Sequence, residues 1–122
     1  MLVVRDVVET SQWFQKALGL TSGHGGDQFE MLMADGQAVL YLHHDGPAEH
    51  PTLPASLGTE PGKGVLLYFY VEDVDTVYHR AVQHAATVLD EPHDNPLAHT
   101  REFSLRDPNG YGLTVAQTHA GP

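Results

Sequence analysis

The stretch Phe103-Ser104-Leu105-Arg106-Asp107-Pro108-Asn109-Gly110-Tyr111 joins a short alternating strand to a tight turn. Pro108 has a fixed φ and Gly110 tolerates a positive φ, which together are typical of a β-turn. We therefore interpret Asp107 as a structural turn residue. The segments that the turn connects are predicted strands, Thr100 to Leu105 and Leu113 to Ala116.

The sequence upstream of this ending predicts a strand, a helix and a weak strand. Val65 to Val71 is an unbroken apolar and aromatic run, and Glu72-Asp73 opens a helix that extends to about His84. One stripe of that helix is apolar and consists of Val74, Val77, Tyr78 and Ala81. A weak strand near Thr87 to Leu89 and a loop from Pro92 to Pro96 lead back to Thr100.

The first half of the chain has the same order of elements. Leu2 to Val4 is a short apolar run, and the helix after it has Thr10 or Ser11 as its predicted N-cap and Gly19 as its stop. The apolar residues of this helix are Trp13, Phe14, Ala17 and Leu18. In the strand from Gln28 to Ala34, Phe29, Met31 and Met33 alternate with Gln28 and Glu30, as in a half-buried strand. A hairpin turn at Asp35-Gly36 then leads into the strand Gln37 to His44.

The two halves also share a short motif. Val4-Arg5-Asp6-Val7 is repeated as Val71-Glu72-Asp73-Val74, each time at a strand end before a helix, where Asp6 is a structural capping residue in our interpretation. We interpret both halves as copies of one β-α-β-β-β module. This predicts an α+β fold in which two such modules form a curved mixed sheet around a cavity. We expect one domain over residues 1–122, with modules at about 1–44 and 64–117 and a Pro-rich linker at 45–63. The tail from His119 to Pro122 is expected to fray.

Composition narrows the range of partners. Six Lys and Arg residues against sixteen Asp and Glu residues give a formal net charge of -10, which disfavours nucleic acids and anionic membranes and suits a cationic or neutral small molecule. Without cysteine, thiolate catalysis and Cys-ligated zinc are excluded. Met1 to Glu9 has no basic leader before an apolar run, and no segment approaches the roughly 20 apolar residues of a membrane span. We expect a cytoplasmic protein.

Over nearly its whole length the sequence resembles the vicinal oxygen chelate superfamily, also called the glyoxalase, bleomycin-resistance protein and dioxygenase group. The resemblance rests on Val4-Arg5-Asp6-Val7 leading into Trp13-Phe14 and Leu18-Gly19-Leu20, on the repeated Val-x-Asp-Val, and most of all on the ending from Phe103 to Tyr111. It implies the two-module fold. In metal-dependent members of this superfamily, each module offers one ligand from its first strand and one from its last, and the ligands are His, Glu or Gln.

These ligand positions do not carry over to this sequence. The first would lie upstream of Met1, and the other three fall on Tyr41, Leu66 and Thr114, which are poor metal ligands. His43 and His44 are adjacent on a strand, so they point to opposite faces and cannot both bind one ion. We expect neither a metal nor a cofactor. Metal-dependent glyoxalase or dioxygenase activity is therefore disfavoured.

An aromatic cup is the remaining candidate site. With Tyr41 and Leu66 on the concave face, period two places several residues on that face: Val39, Tyr41, His43, Leu66, Tyr68, Tyr70 and, from the last strand, Thr114. Leu67, Phe69 and Val71 then face the helices. Phe103 and Leu105 do so as well, which leaves Glu102 as the carboxylate placed near a ligand, beside Thr100 and Ser104. Such a cup suits a flat, conjugated or weakly basic compound.

Two classes of function follow from these observations. The first is a metal-independent binder that sequesters a small aromatic or weakly cationic compound as a homodimer, as the bleomycin-resistance branch does with ligand grooves between its subunits. The second is a metal-free lyase or isomerase, in which His43 or Glu102 removes a proton and Tyr41, Tyr68 or Tyr70 donates to the oxyanion. The missing metal ligands and the negative charge favour the first. The sequence leaves open which compound is bound and whether the loop 45–64 closes the cup.

Overall fold

A computed structural model describes residues 1–46, 50, 52–53 and 56–118. The chain divides into two compact units, Met1–Pro61 and Gly62–Pro122. The predicted fraying tail, from His119 onward, and six residues of the predicted linker lie outside the described residues. In the described part of the chain, no helix has both the length and the apolar character needed to cross a membrane.

The first unit contains a helix and a four-stranded mixed sheet. Its elements are β1 (Leu2–Val4), α1 (Val7–Leu18), β2 (Thr21–Ser22), β3 (Phe29–Ala34) and β4 (Gln37–His44). The strands follow the order β1-β4-β3-β2, and β1 is parallel to β4 while the other pairs are antiparallel. The hairpin predicted at Asp35-Gly36 is confirmed, with both residues at positive φ.

The second unit repeats this topology with one additional strand. Its elements are β5 (Leu66–Tyr70), α2 (Val74–Gln83), β6 (Thr87–Val88), β7 (His93–Asn95), β8 (Thr100–Arg106) and β9 (Gly112–Thr118). The order is β5-β9-β8-β6, with β5 parallel to β9 and β7 also paired to β8. The α+β fold of two β-α-β-β-β modules is thus confirmed, and each module forms its own mixed sheet.

Each sheet buries one face under its helix. In the first unit the fully buried apolar side chains are Val4, Val7, Phe14, Ala17, Leu32 and Leu42. In the second unit they include Val74, Ala81, Phe103, Leu105, Leu113 and Val115. Tyr78 on α2 packs edge-on against Phe103, with ring centroids 5.3 Å apart. Phe103 and Leu105 thus face the helix, as the alternation predicted.

Asp6, not Thr10 or Ser11, is the N-cap of α1. Its carboxylate accepts a hydrogen bond from the backbone N–H of Glu9 at 2.9 Å, and the helix begins at Val7. Thr10 and Ser11 are buried inside the helix. The N-cap prediction was therefore wrong, although the structural capping role predicted for Asp6 is confirmed. Gly19 ends the helix at a φ of 75°, as predicted.

The segment predicted as a loop from Pro92 to Pro96 contains strand β7. The two prolines flank the strand instead of interrupting it, so every ladder N–H inside it is available. Asp94 and Asn95 pair with Arg101 and Thr100 of β8. The loop prediction was wrong because two prolines within five residues are typical of a loop, whereas here a three-residue edge strand lies between them.

The turn from Asp107 to Gly110 is held by the Asp107 side chain. The carboxylate accepts hydrogen bonds from the backbone N–H groups of Asn109 at 3.0 Å and Tyr111 at 2.8 Å, and from the Asn109 side chain at 3.0 Å. Gly110 has a φ of 97°. Burial raises the pKa of Asp107, and these bonds only partly oppose that rise. These contacts agree with a structural role for Asp107.

Candidate ligand-binding face

The second sheet has a face opposite α2 on which the β5 side chains are exposed and Thr114 and Ala116 of β9 are buried. Along the ladder, Leu66, Tyr68 and Tyr70 of β5 pair with Gly112, Thr114 and Ala116 of β9, and Thr114 and Ala116 pair with Ser104 and Glu102 of β8. Register partners point to the same side of a sheet. We call this surface the tyrosine face and define it by six residues: Leu66, Tyr68, Tyr70, Glu102, Ser104 and Thr114. Leu66, Tyr68 and Tyr70 are 59%, 39% and 65% exposed.

Glu102 is the most highly connected side chain of the tyrosine face. The Tyr68 hydroxyl donates to Oε2, and the Thr100 hydroxyl donates to the same oxygen at 2.8 Å. Asn95, on β7, donates through Nδ2 to Oε1 at 3.2 Å. Three side chains from three strands therefore fix the orientation of one half-buried carboxylate.

These contacts shift the pKa values of Glu102 and Tyr68 in opposite directions. Burial alone raises the pKa of Glu102, but the bonds from Tyr68, Thr100 and Asn95 outweigh it, and the pKa lies below its usual range. The bond to Glu102, with some burial, raises the pKa of Tyr68. At neutral pH the face therefore presents an ionised carboxylate beside a protonated phenol.

The rest of the tyrosine face is polar at its centre and cationic at one end. The hydroxyls of Ser104 and Thr114 are hydrogen bonded to each other at 3.0 Å. Arg106 follows on the same side of β8, beyond Ser104, and donates to the carbonyl of Gly110 at 3.1 Å. The cationic end of the face is thus next to Leu66, and the anionic end is at Glu102.

Three other predicted site residues lie on the first sheet, on the side opposite α1. Val39 and Tyr41 are exposed, and Tyr41 lies 5.7 Å from Phe29 between ring centroids. His43 is only 4% exposed, with Nδ1 hydrogen bonded to the carbonyl oxygen of His44 at 2.8 Å and its ring 5.1 Å from that of His50. The structure therefore groups the predicted residues into two sets, one on each sheet.

Glu30, a carboxylate with almost no solvent exposure, was not predicted from the sequence. Glu30 is 3% exposed on the helix side of β3, together with the fully buried Leu32, while Phe29, Met31 and Met33 are half-buried on the other side. The apolar alternation of this strand therefore does not mark its helix-facing side. One sequence signal near Glu30 is the Gly-rich turn from Gly23 to Gly26, whose N–H groups are natural carboxylate partners.

Asn95 was missed as a site residue because its segment was interpreted as a loop. Asn95 lies two residues after His93 on β7, so it becomes the register partner of Thr100 when β7 pairs with β8. Recognising this strand is what would have pointed to Asn95. A partner strand was needed to bring its amide to Glu102.

The residues at the superfamily's metal positions do not fit a metal. Tyr41 and Leu66 are exposed, and Thr114 is buried with its hydroxyl engaged by Ser104. An aliphatic side chain, a phenol and a paired hydroxyl do not form a divalent-metal donor set. Within the part of the chain that the structure describes, no three His, Asp or Glu side chains form a group able to hold a metal ion.

The duplicated β-α-β-β-β topology and the open face of the sheet define the class of protein. The model of the glyoxalase/bleomycin resistance protein/dioxygenase superfamily matches residues 1–115, and the chain belongs to this superfamily. No curated protein matches this sequence.

Several solved structures share the fold. TioX from Micromonospora sp. ML1 is 16% identical, with a TM-score of 0.77 over 97% of this chain and 94% of that one. A protein of unknown function from Agrobacterium tumefaciens str. C58 is 22% identical, with a TM-score of 0.76 over 96% and 90%. A glyoxalase/bleomycin resistance protein/dioxygenase from Nocardioides is 20% identical, with a TM-score of 0.74 over 99% and 82%. At these identities the similarity shows the fold alone.

Proposed function

We propose that this protein binds a small aromatic or weakly cationic organic compound at the tyrosine face without a metal ion, and sequesters it as a homodimer in the manner of bleomycin-resistance proteins. The observation that carries the proposal is the pair of exposed rings of Tyr68 and Tyr70, 5.3 Å apart, beside the fixed carboxylate of Glu102. Exposed aromatic rings next to one oriented polar group are typical of sites that bind by stacking and are selective through a single hydrogen bond.

The electrostatics favour binding over proton abstraction. A general base works best with a pKa near the operating pH, whereas the hydrogen bonds to Glu102 move its pKa downward, away from neutrality. An ionised carboxylate that stays ionised is instead a stable acceptor for a ligand N–H or O–H group. This supports the binder over the metal-free lyase or isomerase.

A thermal-shift screen of flat aromatic compounds, with and without an amine, tests the proposal. A compound that binds only the folded chain raises the apparent Tm, and Tyr70→Leu should reduce that rise because it removes one stacking ring. Tyr78→Leu is the matched control, since the Tyr78 ring packs against Phe103 on the helix side. It should lower the starting Tm and leave the ligand-induced rise unchanged. Equal loss of the rise in both variants would contradict binding at the tyrosine face.

A further inference from the structure

The hydrogen-bond geometry of Glu102 leaves room for one more donor. A carboxylate offers about four lone-pair positions. Among the described residues, Tyr68 and Thr100 donate to Oε2 and Asn95 donates to Oε1. The remaining acceptor position is therefore on Oε1, and a ligand that donates one N–H would complete the set.

Two aromatic rings lie on the same face of the sheet as Glu102. Tyr70 and Glu102 are both register partners of Ala116, so only a methyl group separates them across the face. The Tyr68 and Tyr70 rings are inclined by 40°. A cation within about 6 Å of such ring centroids is attracted to their π faces. A ligand long enough to extend from the Tyr70 ring across Ala116 to the Glu102 carboxylate would thus contact aromatic rings and a carboxylate together.

The surrounding charges are consistent with a cation at the Glu102 end of the face. Arg106, the cation on this side of β8, lies at the other end near Leu66. His93 is the register partner of Glu102 on β7, and its Nδ1 is hydrogen bonded to the carbonyl of Glu91 at 2.9 Å. The chain as a whole carries a formal charge of -10. Long-range attraction therefore also favours a cationic ligand.

We propose that the ligand carries an organic ammonium group with at least one N–H, which contacts the Tyr68 and Tyr70 rings and donates to Oε1 of Glu102. This inference rests on the proposed binding function and specifies its ligand class. Asn95 and Thr100 act as positioning residues, because their hydrogen bonds fix the orientation of the carboxylate and leave one acceptor position on Oε1.

Three matched probes test the inference: naphthylmethylammonium, its neutral analogue naphthylmethanol, and the N,N,N-trimethyl derivative, which keeps the charge but has no N–H. Dissociation constants come from NMR titrations of backbone amides at about pH 8, above the usual titration range of histidine. We expect the primary ammonium to bind about tenfold tighter than the alcohol. The trimethyl probe should fall between them.

Variants of Glu102 and Asn95 identify the residues responsible for the preference for the ammonium probe. Glu102→Gln should reduce the tenfold preference to about threefold, the part due to the rings, and abolish the advantage of the primary over the trimethyl ammonium. Glu91→Gln, which removes the same charge from an exposed position nearby, should leave both ratios unchanged. Asn95→Ala should give a smaller loss in the same direction as Glu102→Gln, and it supplies the readout if Glu102→Gln fails to fold.

The outcomes separate the two proposals. Equal affinity for the ammonium and the alcohol, with shifts at the tyrosine face, would overturn the ammonium inference and leave the binding function standing. Unchanged ratios in both Glu102→Gln and Asn95→Ala would also overturn it. If none of the probes perturbs the tyrosine face, both proposals fail.

Discussion

Glu30 is a buried carboxylate whose proton affinity is set by the hydrogen bonds around it. It accepts from the hydroxyls of Ser11 and Ser22 at 3.0 and 2.8 Å, and from the backbone N–H groups of His24, Gly25 and Met31 at 2.7 to 3.0 Å. Burial raises the pKa of Glu30, but these bonds outweigh it and the pKa is lowered to about 2. The side chain thereby ties α1, β2 and the Gly-rich turn to β3.

Acid should therefore destabilise the chain through Glu30. Its pKa is about 2 in the folded state and lies in the normal range near 4.5 without these contacts. The stabilisation is thus fully present above about pH 4.5 and is lost as the pH falls toward 2, by about 3 kcal/mol at most. We expect Glu30→Gln to lower the free energy of unfolding at neutral pH by about 2 to 3 kcal/mol and to flatten its fall in acid. Urea titrations at several pH values measure both effects.

Glu72→Gln is the control for this prediction, because Glu72 is exposed and precedes α2. It should leave the acid profile unchanged. A Glu30→Gln variant with the wild-type acid profile would show that other carboxylates cause the loss of stability.

Glu30 and Glu102 differ in the kind of groups that donate hydrogen bonds to them. Three of the five donors to Glu30 are backbone N–H groups, so its bonding capacity is used to fold a turn. The three donors to Glu102 are all side chains, and the carboxylate lies on an open face. The first residue therefore stabilises the fold, and the second belongs to the face that we propose binds a ligand.

At the scale of elements, the alternation of β5 places its side chains in two different environments. Leu67 and Phe69 pair with the fully buried Leu113 and Val115 on the helix side, while Tyr68 and Tyr70 point to the tyrosine face. The two sets of side chains therefore have different neighbours within one five-residue strand.

Substitutions in β5 should reveal this separation. Phe69→Ala should lower the free energy of unfolding by about 2 kcal/mol, the lower end for a large-to-small change, because Phe69 is only half-buried. Tyr70→Leu should change it by less than about 0.5 kcal/mol, because Tyr70 is largely exposed. Denaturant unfolding of both variants measures the difference. If Tyr70→Leu proved the more destabilising of the two, Tyr70 and not Phe69 would face the helix, and the assignment of the two faces of β5 would be wrong.

The elements that the sequence predicted well are those with strong local signals. The helices have capping aspartates and a 3.6-residue stripe, and the last hairpin has Asp-Pro-Asn-Gly. β7 has only three residues between two prolines, and it pairs with the start of β8, where Thr100 lies five residues after Asn95. The pairing is local, but so short a run flanked by prolines is typical of a loop, so the sequence pattern did not predict a strand.

The same reasoning explains which parts of the site were predicted. Period two in β5 placed Tyr68 and Tyr70 on one face, and Glu102 followed from the alternation of β8. Asn95 was out of reach because its contact with Glu102 requires the pairing of β7. Glu30 was missed because the Gly-rich turn is only part of its environment, and its other partners come from α1 and β2, which only folding brings together.

For the whole molecule, the donor chemistry at the superfamily's metal positions leads to a prediction about metal content. The family resemblance places Tyr41, Leu66 and Thr114 at three of these positions, and none supplies a carboxylate, imidazole or thiolate. We expect the purified protein to hold no stoichiometric divalent ion after dialysis and to keep its Tm in chelator. Elemental analysis and thermal melts with and without EDTA check this. About one Zn, Ni, Mn or Fe per chain would contradict it.

The assembly of the chain is the remaining prediction at the scale of the molecule. β5 lies at one end of the strand order of the second sheet, and Val65, Leu66 and Tyr70 at this edge are all exposed in the single chain. Exposed apolar edge strands favour association, and two-fold dimers are the commonest closed form. We expect light scattering to give twice the 13.3 kDa mass of the chain.

Val65→Lys should shift the protein toward the monomer, because a charge at a strand edge opposes pairing. Val82→Lys, at an exposed position on α2, should leave the mass unchanged. A monomer mass for the wild type over the whole concentration range, or equal behaviour of the two variants, would place β5 outside any interface between copies of this chain.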